Sequence, residues 1–468
     1  MTRANKPIPP AARLSPRQNR VLARRLLTWY DSDKRDLPWR RTCDPYAILV
    51  SEFMLQQTQV ATVIPYFERF MAAFPTVRAL AAAPEQDVLR LWAGLGYYTR
   101  ARHLHTAARK IVSDYGSRVP PRLGDLLFLP GVGSYVAGAV ASIAFGLPAP
   151  AVDANVARLL SRLFALSDNP ANPRGRKTLE SLAAALIPPE RPGDFNQAMM
   201  ELGALVCAAA RPLCDSCPVR GFCKAAQQGN PTAYPAPAKR PKTIEVEEVL
   251  AVVRVQDRAG AQAVVRVQDR AGARAGTPAG DRAGAPAGDR AGAPAVVRVQ
   301  DRAGAQAVVR VQDRAGARAG APPAVRSEDR YLIVQRPGDS GRYRNMWEFP
   351  HVAVGEGRKH FRKPDRISET LTAFLFESFG FKVRVDQEWA EIRHQVTHHK
   401  IRKRVFLCSL ADQGAGQKAG KKAHQEAQPA DTDTLRWVTL DEIADYPLGA
   451  PHKRILALLH ESAGLFSL

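Results

Sequence analysis

Residues 129–140 read LPGVGSYVAGAV. Two glycines flank Val132 just ahead of a run of small and apolar residues, the pattern of a tight turn that opens a helix. Glycine permits both the turn and a ligand's close approach, and the amides of Val132, Gly133 and Ser134 at the helix N-terminus can hold a phosphate oxygen. About twenty residues later AVDANVARLL (151–160) sets Asp153 at the start of another helix, the ordinary place of an N-cap. Further on, CAAARPLCDSCPVRGFC (207–223) gathers four of the six cysteines as Cys207-x6-Cys214-x2-Cys217-x5-Cys223. Four thiolates on short loops close either a tetrahedral zinc site or a cubane iron–sulfur cluster. Arg211, Arg220 and Lys224 of the same loop stand ready for phosphates. Cys43 and Cys408 are isolated and read as buried apolar fillers.

Outward from these motifs, helical periodicity runs almost unbroken from Ser15, with apolar runs near 46–56, 58–73, 97–115, 134–145, 153–166, 174–187 and 194–208. Pro and Gly pairs such as Phe74-Pro75 and Pro130-Gly131 punctuate them. The expected architecture is multi-domain. An all-α domain spans 15–226 and includes the cysteine loop; a Pro-rich linker covers 227–243; an α+β domain fills 244–468. Strand-like segments lie at 244–253, 330–337, 382–385, 403–410 and 435–440, with helices at 368–379 and 452–462. Between the first two strands, 252–326 repeats VVRVQDRAGAQA-like units. It uses eight residue types, lacks aromatics and carries 13 Arg against 6 Asp. So little large apolar surface cannot offset ordering entropy, so a flexible loop is expected; an Arg-rich nucleic-acid arm is the alternative.

The chain has 468 residues, 67 Lys+Arg against 45 Asp+Glu and a formal charge of +22. With 45% hydrophobic residues it has the makings of folded cores, and the charge draws it to polyanions. No stretch approaches the roughly 20 apolar residues of a membrane span, and the start lacks the apolar core of a secretion signal. A cytoplasmic, nucleoid-associated protein and a monomer are expected.

Together, the hairpin, the aspartate and the cysteine loop resemble the helix-hairpin-helix DNA glycosylases of the endonuclease III superfamily. Three further stretches, LPWRRTCDPYAILVSEFMLQQTQVATVIPYFERF (37–70), WAGLGYYTRARHLHTAA (92–108) and DFNQAMMELGALVC (194–207), look like the adenine DNA glycosylases of the MutY type. The resemblance covers about Arg17 to Cys223 and resumes after the repeat. It implies a base excision repair enzyme that removes adenine opposite 8-oxoguanine, or opposite guanine, from duplex DNA, with a [4Fe–4S] cluster on Cys207, Cys214, Cys217 and Cys223. Glu52 would be the general acid that protonates the flipped adenine at N7, and Tyr135 its hydrogen-bonding neighbour. Bifunctional relatives carry at that position a lysine that forms a Schiff base, so Tyr135 implies a monofunctional enzyme. Asp153 would stabilise the oxocarbenium-like sugar, electrostatically or through a transient covalent bond, with Asn155 orienting it. Gln57 and Tyr97 would wedge into the base stack, with Leu55 and Thr58 on the same surface.

RYLIVQRPGDSGRYRNMWEFP (330–350) resembles a Nudix, MutT-like fold. In the candidate catalytic helix AFLFESFGF (373–381), Glu377 and Gly380 remain, but Ala, Phe and Ser stand where that family needs Arg and Glu. No nucleoside diphosphate hydrolysis is expected. The adenine glycosylase family reads 8-oxoguanine with a Phe-Ser-His loop; here Val396, Thr397 and His398 take those places, and Thr397 keeps a hydroxyl for the lesion. Other readings fit less well. A lyase-active pyrimidine-lesion glycosylase is opposed by Tyr135, a non-catalytic iron–sulfur protein by the presence of Glu52 and Asp153, and a nucleotide pyrophosphohydrolase by the broken helix.

Overall fold

A computed structural model of the chain describes residues 14–236, 242–255, 296–300, 306–311, 328–338, 343–356, 364–396, 398–411 and 431–463. The chain forms two compact units, Met1–Pro241 and Lys242–Leu468.

The first unit is helical: α1 (Pro16–Asp33), α2 (Pro45–Leu55), α3 (Val60–Ala73), α4 (Val77–Ala82), α5 (Glu85–Trp92), α6 (Thr99–Asp114), α7 (Leu123–Leu127), α8 (Ser134–Phe145), α9 (Ala154–Leu163), α10 (Pro173–Leu186), α11 (Pro192–Leu205) and α12 (Lys224–Gln227). Local chemistry sets several starts. Ser15 and Gln18 form a reciprocal capping box on α1, Asp44 accepts from the amides of Tyr46 and Ala47 ahead of α2, and Asp153 accepts from Val156 N–H at the head of α9. Helix α2 is apolar on all sides and is buried from Tyr46 to Met54, which carries Glu52 inside. A core of Leu22, Leu26, Tyr30, Leu160, Leu182, Phe195 and Leu202 joins α1 to α9, α10 and α11, and Cys207, Cys217 and Cys223 pack against it. Two elements, α4 and α5, are too short and too close to Pro75 and Pro84 to stand out from sequence periodicity.

Glycine lets α8 meet the segment before Asp153. A Cβ built on Gly138 would lie 1.9 Å from the carbonyl oxygen of Pro150.

Among the described residues, the second unit is built on one nine-stranded sheet: β1 (Ile244–Val255), β2 (Val296–Gln300), β3 (Gln306–Val311), β4 (Arg330–Gln335), β5 (Trp347–Glu348), β6 (His351–Glu356), β7 (Val383–Val396), β8 (His399–Leu410) and β9 (Leu435–Val438). The order is β2-β3-β7-β8-β1-β4-β5, with β6 on β1 and β9 on β4. Strands β1 and β8 run parallel; β7 and β8 form a long antiparallel hairpin. Side chains alternate along β1. Val249, Ala251 and Val253 pack with Ile367, Leu371 and Leu375 of α13 (Pro364–Phe379). Leu250 and Val252 face the opposite core of Phe349, Val405, Ile455 and Leu459, completed by α14 (Leu440–Ile443) and α15 (Ala450–Ser462).

The expectation of a loop over 252–326 is corrected in part. Residues 252–255 end β1, and 296–300 and 306–311 are antiparallel strands, with Val309 in register with Ile392 of β7. The reason lies in the repeat unit: Val-Val-Arg-Val has the β-branched content that favours a strand. Strands β7 and β8 also extend well beyond the short segments the sequence marked, because polar residues continue both strands past their apolar stretches.

The Gly138 contact yields a prediction. Gly138→Ala should cost about 1–3 kcal/mol of stability, the usual cost of overpacking, measurable by urea denaturation; an unchanged midpoint would show that α8 and the Pro150 segment are not tightly apposed.

Candidate active site

Glu52 is 4% exposed, and the Tyr135 hydroxyl donates to its Oε2 at 2.5 Å. The same hydroxyl lies 3.8 Å from Met200 Sδ. Burial raises the Glu52 carboxyl to about 7; the Tyr135 bond opposes this and the Asp153 charge adds to it. Asp153 is itself raised by burial, against bonds from Val156 N–H (2.7 Å) and Asn155 Nδ2 (3.0 Å). Burial also keeps the Tyr135 phenol well above its ordinary value. Asn155 is held in turn, since Arg158 Nη2 donates to its Oδ1 at 2.9 Å and to the Gly203 carbonyl at 2.7 Å. Two sequence-distant carboxyls, a phenol and the Asn155 amide therefore converge.

All four residues line one cavity of about 160 Å³, together with Leu55 and Thr58. Its polar wall was missed in the sequence. Glu201, 1% exposed, accepts from Arg35 Nε and Nη2, both at 2.7 Å, and from Arg40 Nη2 at 2.8 Å. Burial pushes the Glu201 carboxyl up, but these bonds outweigh it and bring the group down to about 2. Arg35 and Arg40 lie in the quoted stretch 37–70 or beside it, but a Glu in an apolar helix gives no sign of its distant partners.

Gln57 and Tyr97 do not line that cavity. Both carry left-handed backbone, φ 57° and 49°, and Tyr97 is 44% exposed. At the hairpin, Gly133 and Ser134 are exposed, and α8 begins with the unpaired amides of any helix N-terminus. Val132 is a correction: its side chain is buried and its N–H donates to the Leu129 carbonyl at 3.1 Å, closing the turn, so it is not a free donor. The Ser134 hydroxyl donates to Glu180 at 2.7 Å.

The four cysteines share a pocket with Leu159, Leu163, Val206, Leu213 and Val219. Arg162 reaches in, its Nη1 3.3 Å from Cys207 Sγ and 2.7 Å from the Ala208 carbonyl. Four thiols in an apolar pocket beside a buried guanidinium could hold an anionic metal centre. Among the described residues, Glu348, His351 and His452 form a further trio whose potential ligand atoms all lie within 4.8 Å. The Glu348 trio suits no metal. Arg336 Nη1 lies 3.3 Å from Glu348 and 3.2 Å from His351 Nε2, and Phe349 N–H donates to His452 Nδ1, which puts the His452 proton on Nε2. In the second unit, the His398 ring lies 4.2 Å from that of His399 at the β7–β8 turn, and Thr397 lies outside the described residues. Helix α13 offers Phe376 and Glu377 to solvent rather than a carboxylate cluster.

Residues 50–185 match the HhH-GPD superfamily base excision DNA repair protein family, and residues 323–458 the NUDIX domain. Rat adenine DNA glycosylase is 36% identical over 94% of this chain and 78% of its own length. The chain belongs to the adenine DNA glycosylase family. Human adenine DNA glycosylase is 52% identical over 43% of the chain and 39% of the human protein. A solved thermostable thymine-DNA glycosylase is 33% identical, covering 45% of this chain and 98% of that one, with a TM-score of 0.43. The chain is an adenine-specific DNA glycosylase of base excision repair, with a helix-hairpin-helix unit followed by a Nudix-like unit. No described helix is long and apolar enough to cross a membrane.

The geometry predicts a carboxyl titration. Isotope-edited infrared or 13C NMR should show Glu52 titrating near 7, moving up in Tyr135→Phe and down in Asp153→Asn. Because the folded value lies above the unfolded one, near 4.5, Glu52 contributes stability below that unfolded value and loses it as pH rises through about 7. Glu52→Gln should therefore weaken the decline in unfolding free energy between pH 5 and 8; an unchanged decline would contradict the burial argument.

Proposed function

We propose that the enzyme excises adenine paired with 8-oxoguanine, and less readily with guanine, by acid-assisted cleavage of the N-glycosidic bond of a flipped nucleotide. The observation that carries this reading is the Tyr135–Glu52 contact at the wall of a cavity that also holds Asp153. A carboxyl raised to about 7 is substantially protonated at neutral pH, and so can act as an acid.

As the bond from C1′ to N9 lengthens, Glu52 gives its proton to adenine N7, so the base leaves as neutral adenine rather than as an anion. The bonding electrons depart with the base, and the sugar becomes oxocarbenium-like. Asp153, steadied by Asn155 and Val156 N–H, sets negative charge beside that cation until water adds at C1′ and gives up its proton to the Glu52 carboxylate, which restores the acid. Tyr135 fixes the Glu52 carboxyl and supplies no amine, so the chemistry stops at an abasic site. Glu201 with Arg35 and Arg40 forms the polar wall against which the base edge is fixed. Gln57 and Tyr97 fill the space the adenine leaves. Exposed amides at Gly133 and Ser134 engage a backbone phosphate. Cys207, Cys214, Cys217 and Cys223 hold a [4Fe–4S] cluster that fixes the basic loop bearing Arg211 and Arg220. In the second unit, Thr397 would supply a hydroxyl and His398 a ring nitrogen for recognition of 8-oxoguanine.

The test is a duplex containing A:8-oxoguanine incubated with and without alkali. Strand breaks are expected only after alkali; efficient nicking without it, trapped by borohydride, would overturn the monofunctional reading. Glu52→Gln should slow single-turnover excision by roughly 10²- to 10⁴-fold while duplex binding persists. Iron analysis should give about four iron per chain; zinc without iron would refute the cluster.

A further inference from the structure

Arg100 begins the second position of α6 and is 6% exposed. Its hydrogen-bond partners are backbone carbonyls and one hydroxyl. Nη1 donates to the carbonyls of Phe53 (3.0 Å), Met54 (2.8 Å) and Gln56. Nη2 donates to the carbonyls of Leu95 (3.2 Å) and Gly96 (3.1 Å) and to Thr58 Oγ1 (3.0 Å). The guanidinium carbon lies 5.5 Å from the Trp92 ring centre and 5.6 Å from that of Tyr97.

The choice of carbonyls matters. Those of Phe53 and Met54 belong to the last turn of α2, where helical acceptors have no intrahelical donor. Those of Gln56 and Gly96 belong to the peptide units directly before Gln57 and Tyr97, the two residues with left-handed backbone at φ 57° and 49°. Such backbone is unfavourable for a residue with a Cβ and persists only where its surroundings over-determine it. One fork-shaped cation here fixes the peptide plane ahead of both residues and ties both to the end of the helix that carries Glu52.

We propose that Arg100 is the positioning residue that presents Gln57 and Tyr97 as one rigid wedge. This rests on the wedge reading of those two side chains. A lysine, a point donor on a flexible stem, keeps the charge but cannot bond both loops at once. The consequence is specific: Arg100 acts on mispair recognition through Gln57 and Tyr97, so its effect disappears when they are gone.

The experiment is a double-mutant cycle on the full-length protein, reading affinity for a duplex with uncleavable 2′-fluoro-deoxyadenosine opposite 8-oxoguanine, alongside a matched A:T duplex. Arg100→Lys should weaken mispair binding by about tenfold, the scale of one lost charge-assisted hydrogen bond. In the Gln57→Ala, Tyr97→Ala background the same change should cost less than about twofold, and matched-duplex affinity should hold throughout. An equal loss in both backgrounds, or an equal loss on matched DNA, overturns the proposal. If the Gln57→Ala, Tyr97→Ala protein binds the mispair like wild type, the wedge reading itself fails and this proposal falls with it. Thr58→Val removes one acceptor of Arg100 without disturbing its charge, and serves if Arg100→Lys does not fold. Its loss must likewise be non-additive with Tyr97→Ala, a residue on the other loop, and additivity overturns the proposal.

Discussion

Everything at the site depends on burying one carboxylic acid in a helix that has no polar face. Helix α2 is enclosed from Tyr46 to Met54, so Glu52 meets only the cavity and, among the described residues, hydrogen-bonds to one side chain, a phenol. A hydroxyl donor satisfies a neutral or a charged carboxyl without demanding the charge, whereas a guanidinium would demand it. The fold makes this possible by bringing α8 to α2, so that Tyr135, one residue into α8, meets Glu52 across 83 positions of sequence. Gly138 lets the chain before Asp153 close against the same helix.

The three carboxyls around the cavity, Glu52 and Glu201 buried and Asp153 half-buried, show how neighbours divide chemical roles. Glu201 faces two guanidinium groups, falls to about 2 and is a permanent anion. Glu52 faces a hydroxyl and rises to about 7. Asp153 is raised by burial yet held by a helix amide and Asn155, which stabilise its charged form. Environments that drive like groups apart in this way allow one site to hold an acid and an anion at neutral pH. The Arg158 fork carries the arrangement outward, from Asn155 to the Gly203 carbonyl and, through Nε at 2.9 Å, to the Cys207 carbonyl. The cysteine loop and the site are thus parts of one hydrogen-bonded frame.

Much of this was legible in the sequence because it is written in local motifs. The hairpin turn, the cysteine spacing and the periodicity of the long helices each sit within a few dozen residues, and Tyr135 is the residue on which the proposal of excision without lyase chemistry rests. What was not legible depends on long-range contacts. The Glu201 clamp joins α11 to Arg35, 166 residues away, and Arg100 joins two loops whose tight backbone no propensity announces. Val132 misled because a GxG turn suggests free amides, while closing the turn consumes that one. The repeat misled because its composition is low in large apolar residues, although Val-Val-Arg-Val has the β-branched content that favours a strand. The partners of Glu201, the α2 carbonyls that Arg100 holds and the β7 strand beside the repeat are distant in sequence, whereas the partner of Val132, Leu129, lies three residues back.

Proton donation from a neutral Glu52 to adenine N7 can be probed with 7-deaza-2′-deoxyadenosine, which has no N7 lone pair, placed opposite 8-oxoguanine while binding and single-turnover excision are followed together. The analogue should bind much as adenine does and should not be excised at a measurable rate. Excision at a rate near that of adenine would rule out protonation at N7.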